Sequence, residues 1–268
     1  MSEKYTKRVI VSFDGICPMN CKHCYTFELD KKRETKTSDI IKNIESCEFD
    51  VIYVSQSYEN FFDGQKGIAL CTDLYNKYKK DIVIITRSYL NDEIIKMLYD
   101  LNETMKINAH QLYLIVSLSA RQSYGVTETV DICPSPKQRI SNLERAFNKG
   151  IKTILLLRPL FPNNIIPILE SVSVIDETKT FINAVISSGL ILTDKILDRL
   201  ELNKNDFNYF ENGDSEYLKD LDKETVKYVD IEKEMHLVQS YCELIEIPFF
   251  MHSMPAINYL SVTNGSHI

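Results

Sequence analysis

Short runs of β-branched and aliphatic residues alternate with amphipathic helical patterns along most of this chain. That alternation restricts it to βα units built around a largely parallel sheet. Six runs read as strands, at 8–13, 51–55, 82–86, 112–118, 153–158 and 181–186. The fifth, Thr-Ile-Leu-Leu-Leu-Arg, is nearly continuously apolar, as expected of a strand covered on both faces. Helical stretches between the runs carry end signals. Thr37 or Ser38 caps a helix at 39–47, and Asn91 or Asp92 caps one reaching about Met105. The stretch 137–149 places Ile140, Leu143, Ala146 and Phe147 at helical spacing before a terminating Gly150. Beyond the sixth strand the pattern loosens into a charged stretch, a helix at 231–244 and an apolar run at 247–251. The expected architecture is therefore α/β: a partial (β/α)6 TIM-like barrel over about 8–190 with a C-terminal cap over about 191–268, in one domain. In such barrels the chemistry sits in loops at the C-terminal ends of the strands.

Composition narrows the function classes. A net charge of -7 argues against nucleic acid as the main partner, because that affinity rests on Lys and Arg neutralising phosphates. The first eight residues are polar and charged, and the apolar run after them is too short for a signal-peptide core. No stretch approaches the roughly 20 apolar residues that would span a bilayer. These features point to the cytoplasm, without a membrane. There the 7 cysteines stay reduced, and a close group of them reads as a metal or cluster site rather than a disulfide framework.

Such a group follows the first strand: Cys17-Pro-Met-Asn-Cys21-Lys-His-Cys24-Tyr25, three thiols within eight residues. Thiolates are the ligands of iron-sulfur clusters, and an irregular loop can wrap three of them around one face of a cubane. The fourth iron then stays open to bind a substrate. A zinc ion is the alternative, but a structural zinc site needs four converging ligands. His23 is adjacent to Cys24, a poor geometry for sharing one ion, and Cys47, Cys71, Cys133 and Cys242 are isolated in sequence.

The spacing of Cys17, Cys21 and Cys24 after the first strand of a βα series resembles the signature of the radical S-adenosylmethionine (radical SAM) superfamily. The series from Ser117-Leu-Ser119 through Pro134-Ser-Pro136 and Arg139 to Arg158-Pro159-Leu-Phe-Pro162 is similar to the branch related to spore photoproduct lyase. The resemblance implies one 4Fe-4S cluster, since the tail offers only Cys242, and S-adenosylmethionine (SAM) chelated at its open iron. Reductive cleavage would release a 5'-deoxyadenosyl radical that abstracts hydrogen from an unidentified small-molecule or peptide substrate. The electron would come from a donor such as flavodoxin or ferredoxin.

The resemblance also assigns cofactor contacts. Where the family has Gly-Gly-Glu-Pro after the second strand, this chain has Ser57-Tyr58-Glu59-Asn60, so Tyr58 and Glu59 fall at the amino group of SAM. Ser117 and Ser119, two apart and hence on one strand face, would contact its ribose or carboxylate. Arg158, at the end of the fifth strand, suits a carboxylate bidentately. His23, Tyr25 and Ser187 would lie near the adenine. Cys133 and Tyr124, in the loop after the fourth strand, are candidate hydrogen donors, as equally are His252 and Ser253 after the final apolar run. Two other readings use the same residues: a non-catalytic zinc- or iron-sulfur-binding sensor or scaffold, and an interaction partner of a larger enzyme.

Overall fold

A computed structural model describes residues 4–13, 15–24, 44, 48–54, 58–210 and 227–263. The helix expected at 39–47, apart from Ile44, and the residues Tyr25, Cys47 and Ser57 lie outside the described residues. Six strands fall where the apolar runs predict them: β1 Arg8–Val11, β2 Val51–Val54, β3 Asp81–Thr86, β4 Leu112–Leu118, β5 Lys152–Leu157 and β6 Ala184–Ser187. They pair in sequence order, each parallel to the last, into an open sheet. A minor antiparallel sheet adds β7 Ile191–Leu192, β8 Tyr209–Phe210 and β9 Lys227–Val229.

The C-terminal stretch does more than cap. Phe249 and Phe250 form β10, which pairs parallel with β6 and extends the sheet to seven strands. A two-residue strand inside an apolar run carries no periodicity by which sequence could reveal it.

The helices are α1 Gly64–Tyr78, α2 Asp92–Ile107, α3 Tyr124–Thr127, α4 Pro136–Phe147, α5 Ile168–Thr178, α6 Asp194–Leu200, α7 Glu232–Leu244 and α8 Ser253–Val262. Short polar side chains cap the starts of α1, α2, α4 and α6. Asn91 accepts from the Ile94 amide at 2.9 Å, and Ser135 forms a reciprocal capping box with Gln138 ahead of Pro136. Gly150 takes a φ of +70° just beyond α4, a left-handed conformation that glycine adopts without a Cβ clash.

Alternation along the strands separates two cores. Ile52, Val54, Ile82, Ile84, Leu114, Val116, Leu155 and Val185 face outward and pack in one cluster with helix residues such as Leu74, Leu98 and Leu143. Tyr53, Val83, Tyr113, Ile115, Ile154, Leu156 and Ile186 face inward. Ala256, Ile257 and Leu260 of α8 pack against that inner face, and Asn258 exchanges hydrogen bonds of 2.8 and 2.9 Å with the Tyr5 backbone. At the N-terminal ends of the strands, Asp81 accepts from the Tyr5 hydroxyl, from Lys4 and from the Gln111 amide, forming a polar floor. The same inward parity carries Ser117 to the opposite end, where the loops converge and Arg158 directly follows β5.

One glycine governs a loop of that end. A Cβ on Gly67 would stand 2.9 Å from both the Asn60 carbonyl oxygen and the Phe61 ring. Asn60 in turn accepts from the Phe13 amide at 2.9 Å, tying the β1 loop to the β2 loop. Gly67→Ala is expected to destabilise the fold by about 1–2 kcal/mol, the overpacking exceeding the gain in helix propensity. A thermal melt checks this, and an unchanged or raised midpoint would show that the contact relaxes freely.

Candidate functional site

At the C-terminal ends of the strands the loops enclose a cavity of about 150 Å³. The loop after β1 brings Cys17, Cys21 and Cys24 to its wall, together with Met19 and His23. Asn20 turns this loop at a φ of 45°, a left-handed conformation that Asn tolerates better than most residues. Burial pushes the Cys17 thiol up to about 12, while hydrogen bonds from the Met19 and Glu59 backbone act the other way. Among the described residues no three His, Cys, Asp or Glu side chains converge as a single metal ion requires. The three thiols share the wall of one cavity, and thiolates are the donor set that iron-sulfur clusters take.

The cavity is also lined by Tyr58, Glu59, Ser117 and Arg158, and by the apolar side chains of Ile85, Leu156 and Leu190. Glu59 is buried and accepts from the Arg87 amide and the Thr86 hydroxyl, each at 2.7 Å, and from the Phe61 amide at 3.1 Å. Burial raises its pKa, and those hydrogen bonds oppose the rise. The Ser117 hydroxyl is buried without a hydrogen-bond partner. An orphaned polar atom beside a cavity asks for a ligand or water to satisfy it. His23 is buried, and burial lowers its pKa to about 3, so the imidazole is neutral near pH 7. Its Nδ1 lies 2.9 Å from the Thr127 carbonyl oxygen and therefore carries the proton.

Other candidate residues lie outside this lining. Ser119 is buried beyond the end of β4, where its hydroxyl donates to Glu128 at 3.1 Å. Ser187 falls on the outward parity of β6 and donates to the Leu157 carbonyl at 3.3 Å. Cys133 stands behind Cys21, their sulfurs 3.8 Å apart, and Tyr124 donates its hydroxyl proton to the Cys133 carbonyl. Ser253 meets Arg8 at 3.4 Å at the start of α8, and His252 precedes that helix exposed.

The fold also assembles charged groups that the motifs do not mark. Arg87, directly after β3, lines the cavity and donates to Glu128 at 2.5 Å and to the Arg158 carbonyl at 2.7 Å. Glu128 is gripped from the other side by Arg139 of α4, which also donates to the Ser117 carbonyl at 2.9 Å. Glu128 and Arg139 side chains are both 0% exposed. Burial opposes the charge of Glu128, but Arg139 and Arg87 outweigh it and hold the carboxyl at about 2. Burial likewise works against the charge of Arg87, and the sulfurs of Cys21 and Cys24 together with Glu128 more than offset it. The signal for Arg87 was present, since it is a cation at a strand tip like Arg158. Glu128 sits in an irregular loop and offers no comparable local signal.

No protein-family model matches the chain, and no curated protein matches it. Solved structures do. A spore photoproduct lyase variant superposes with a TM-score of 0.64 at 11% identity, over 90% of this chain and 75% of that one. A variant of the same lyase with bound S-adenosylmethionine and a dinucleoside spore photoproduct gives 0.60 at 13%, over 90% and 75%. SuiB of Streptococcus suis bound to the precursor peptide SuiA gives 0.58 at 13%, over 99% of this chain, which spans about half of SuiB (53%). Among the described residues no helix is long and apolar enough to cross a membrane. An open, mostly parallel sheet ordered in sequence, with its cysteine loop at the tip of the first strand, gives this chain the fold of spore photoproduct lyase and SuiB.

Proposed function

We propose that the chain is a radical SAM enzyme, that Cys17, Cys21 and Cys24 hold one 4Fe-4S cluster, and that the adjoining cavity receives SAM. The observation that carries this is the meeting, in one cavity, of three thiols with the unpartnered buried hydroxyl of Ser117. A reduced cluster with SAM bound supplies electron-driven cleavage to methionine and a 5'-deoxyadenosyl radical that takes hydrogen from a substrate.

The chain's own residues bind, orient and exclude water. Arg158, and Arg87 beside it, present guanidinium groups suited to the methionyl carboxylate. Glu59 keeps about one unused lone pair, on Oε2, for the amino group, with Tyr58 next to it. Ser117 is in position to hydrogen-bond ribose or carboxylate, and neutral His23 offers a ring edge to the adenine, beside the position of Tyr25. Ile85, Leu156 and Leu190 keep water from the reacting end. Ser119 acts at one remove, through Glu128. No role toward SAM follows from the hydrogen bond made by Ser187.

The substrate class is a small molecule or a peptide; a peptide-bound neighbour supports the second, and the negative charge of the chain disfavours nucleic acid. A flavodoxin- or ferredoxin-type donor in the cytoplasm would supply the electron. Anaerobic reconstitution with iron and sulfide, then reduction in the presence of SAM, tests the reading. The expected result is visible cluster absorption and release of methionine and 5'-deoxyadenosine. Uptake of zinc without iron, or a reduced cluster that leaves SAM intact, would return the chain to the sensor or scaffold class.

A further inference from the structure

We propose that Cys133 is the resolving thiol of Cys21: in the cluster-free chain the two close into a disulfide that shields the ligand sulfur from irreversible oxidation. The consequence for cluster loading rests on the function proposed above, whereas the disulfide itself does not.

The geometry is specific. The two sulfurs lie 3.8 Å apart, although 112 positions separate the residues in sequence. Both residues are buried, at 4% and 3% exposure, in a small cluster with Met19 that is separate from the cores holding Cys71 and Cys242. The loop bearing Cys133 is stitched to the cysteine loop at several points. Thr129 donates to the Asn20 carbonyl at 2.8 Å, Lys22 donates to the Gly125 carbonyl at 3.1 Å, and the Cys133 thiol donates to the Met19 carbonyl at 3.1 Å. Backbone bonds also hold Cys133 from its own side, its amide donating to the Thr129 carbonyl at 2.8 Å. The pair is therefore held together by two anchored loops and not by a chance approach of mobile side chains.

The two thiols differ in access. Cys21 lines the cavity, and Cys133 does not. A small oxidant in the cavity reaches Cys21, as it reaches Cys17 and Cys24, and of these Cys21 has Cys133 3.8 Å from its sulfur, the arrangement of a reactive thiol with a resolving partner. With hydrogen peroxide as the oxidant, the Cys21 thiol becomes a sulfenic acid as the O–O bond breaks and water leaves. The Cys133 sulfur then attacks the Cys21 sulfur, the S–O bond breaks, and a second water leaves as the S–S bond forms. The two thiols have together given two electrons to peroxide, and the disulfide is reopened by thiol exchange. Without a resolving thiol the sulfenic acid proceeds to sulfinic acid, which thiols do not reverse.

The test uses the full chain without cluster, treated with hydrogen peroxide, digested without reductant and mapped by mass spectrometry. A peptide pair joined through Cys21 and Cys133, and separated by dithiothreitol, is expected. After dithiothreitol the native chain regains cluster absorption on reconstitution. In Cys133→Ser the Cys21 peptide instead carries two added oxygens, and recovered uptake falls to roughly a tenth of the native recovery. Cross-links that join Cys21 mainly to Cys17 or Cys24, or equal recovery in the variant, would overturn the proposal. If a never-oxidised native chain takes up no cluster, the proposed function fails, while the cross-link map still decides the disulfide.

Discussion

Glu128→Gln is expected to lower the stability of the folded chain by about 3–5 kcal/mol, the range for removing one partner of a buried ion pair. Glu128 bridges Arg87 and Arg139 with its carboxylate, contacting the first at 2.5 Å and the second with its other oxygen. A neutral amide in its place removes the carboxylate that both buried guanidinium groups share, and a buried charge that loses its partner costs more than an exposed one. Urea unfolding at neutral pH measures the loss. A midpoint equal to the native one would mean that water or local rearrangement relieves the repulsion.

The same carboxylate gives the native chain an acid signature. Its pKa in the fold is about 2 against an ordinary 4.5. A carboxyl held below its unfolded value contributes stability present above the unfolded pKa and lost as pH falls through the folded one. That contribution, roughly 3 kcal/mol, therefore disappears between about pH 4.5 and pH 2 in the native chain and is absent from the Gln variant. The groups facing Glu128 are Arg87, Arg139, Ser119 and His23. His23, neutral down to about 3, takes on charge in the acid part of this range in both proteins, so the difference between them isolates Glu128.

Cys24→Ala is expected to abolish cluster retention and, with it, SAM cleavage. Residues that merely support a metal ligand are worth up to about a hundredfold in affinity or activity, so loss of a ligand itself should exceed that. The fold should survive. Cys24 is only partly buried, and its amide bond to the Cys21 carbonyl, 3.0 Å long, belongs to the backbone and does not require the thiol. Stability within about 1 kcal/mol of native, with iron and sulfide content near background, is the anticipated pair of measurements. A variant that retains full iron content would remove Cys24 from the ligand set.

Period-two alternation was enough to send Ser117 inward, because Tyr113 and Ile115 precede it at the same parity. Ser119 shares that parity but lies past the end of β4, where the pleat stops and side-chain direction follows the loop. Ser187 shows the rule from the other side: Ile186 points inward, so its neighbour points out. Helices with strong caps, such as α2 after Asn91 and α4 after Ser135, began within a residue or so of their signals. In α8 a polar boundary is weak and no side chain caps the first turn, and the helix emerges only because the inner face of the sheet needs apolar cover.

Local chemistry thus dictated the strands, their order and the spacing of three thiols, since apolar runs, caps and a short cysteine loop act over a few neighbouring residues. Pairings across long stretches of chain belonged to the folded molecule: Phe249 and Phe250 against β6, Glu128 between Arg87 and Arg139, and Cys133 behind Cys21. Each depends on where loops land once the sheet has formed, and a buried ion pair or thiol contact has no periodicity that could announce it beforehand.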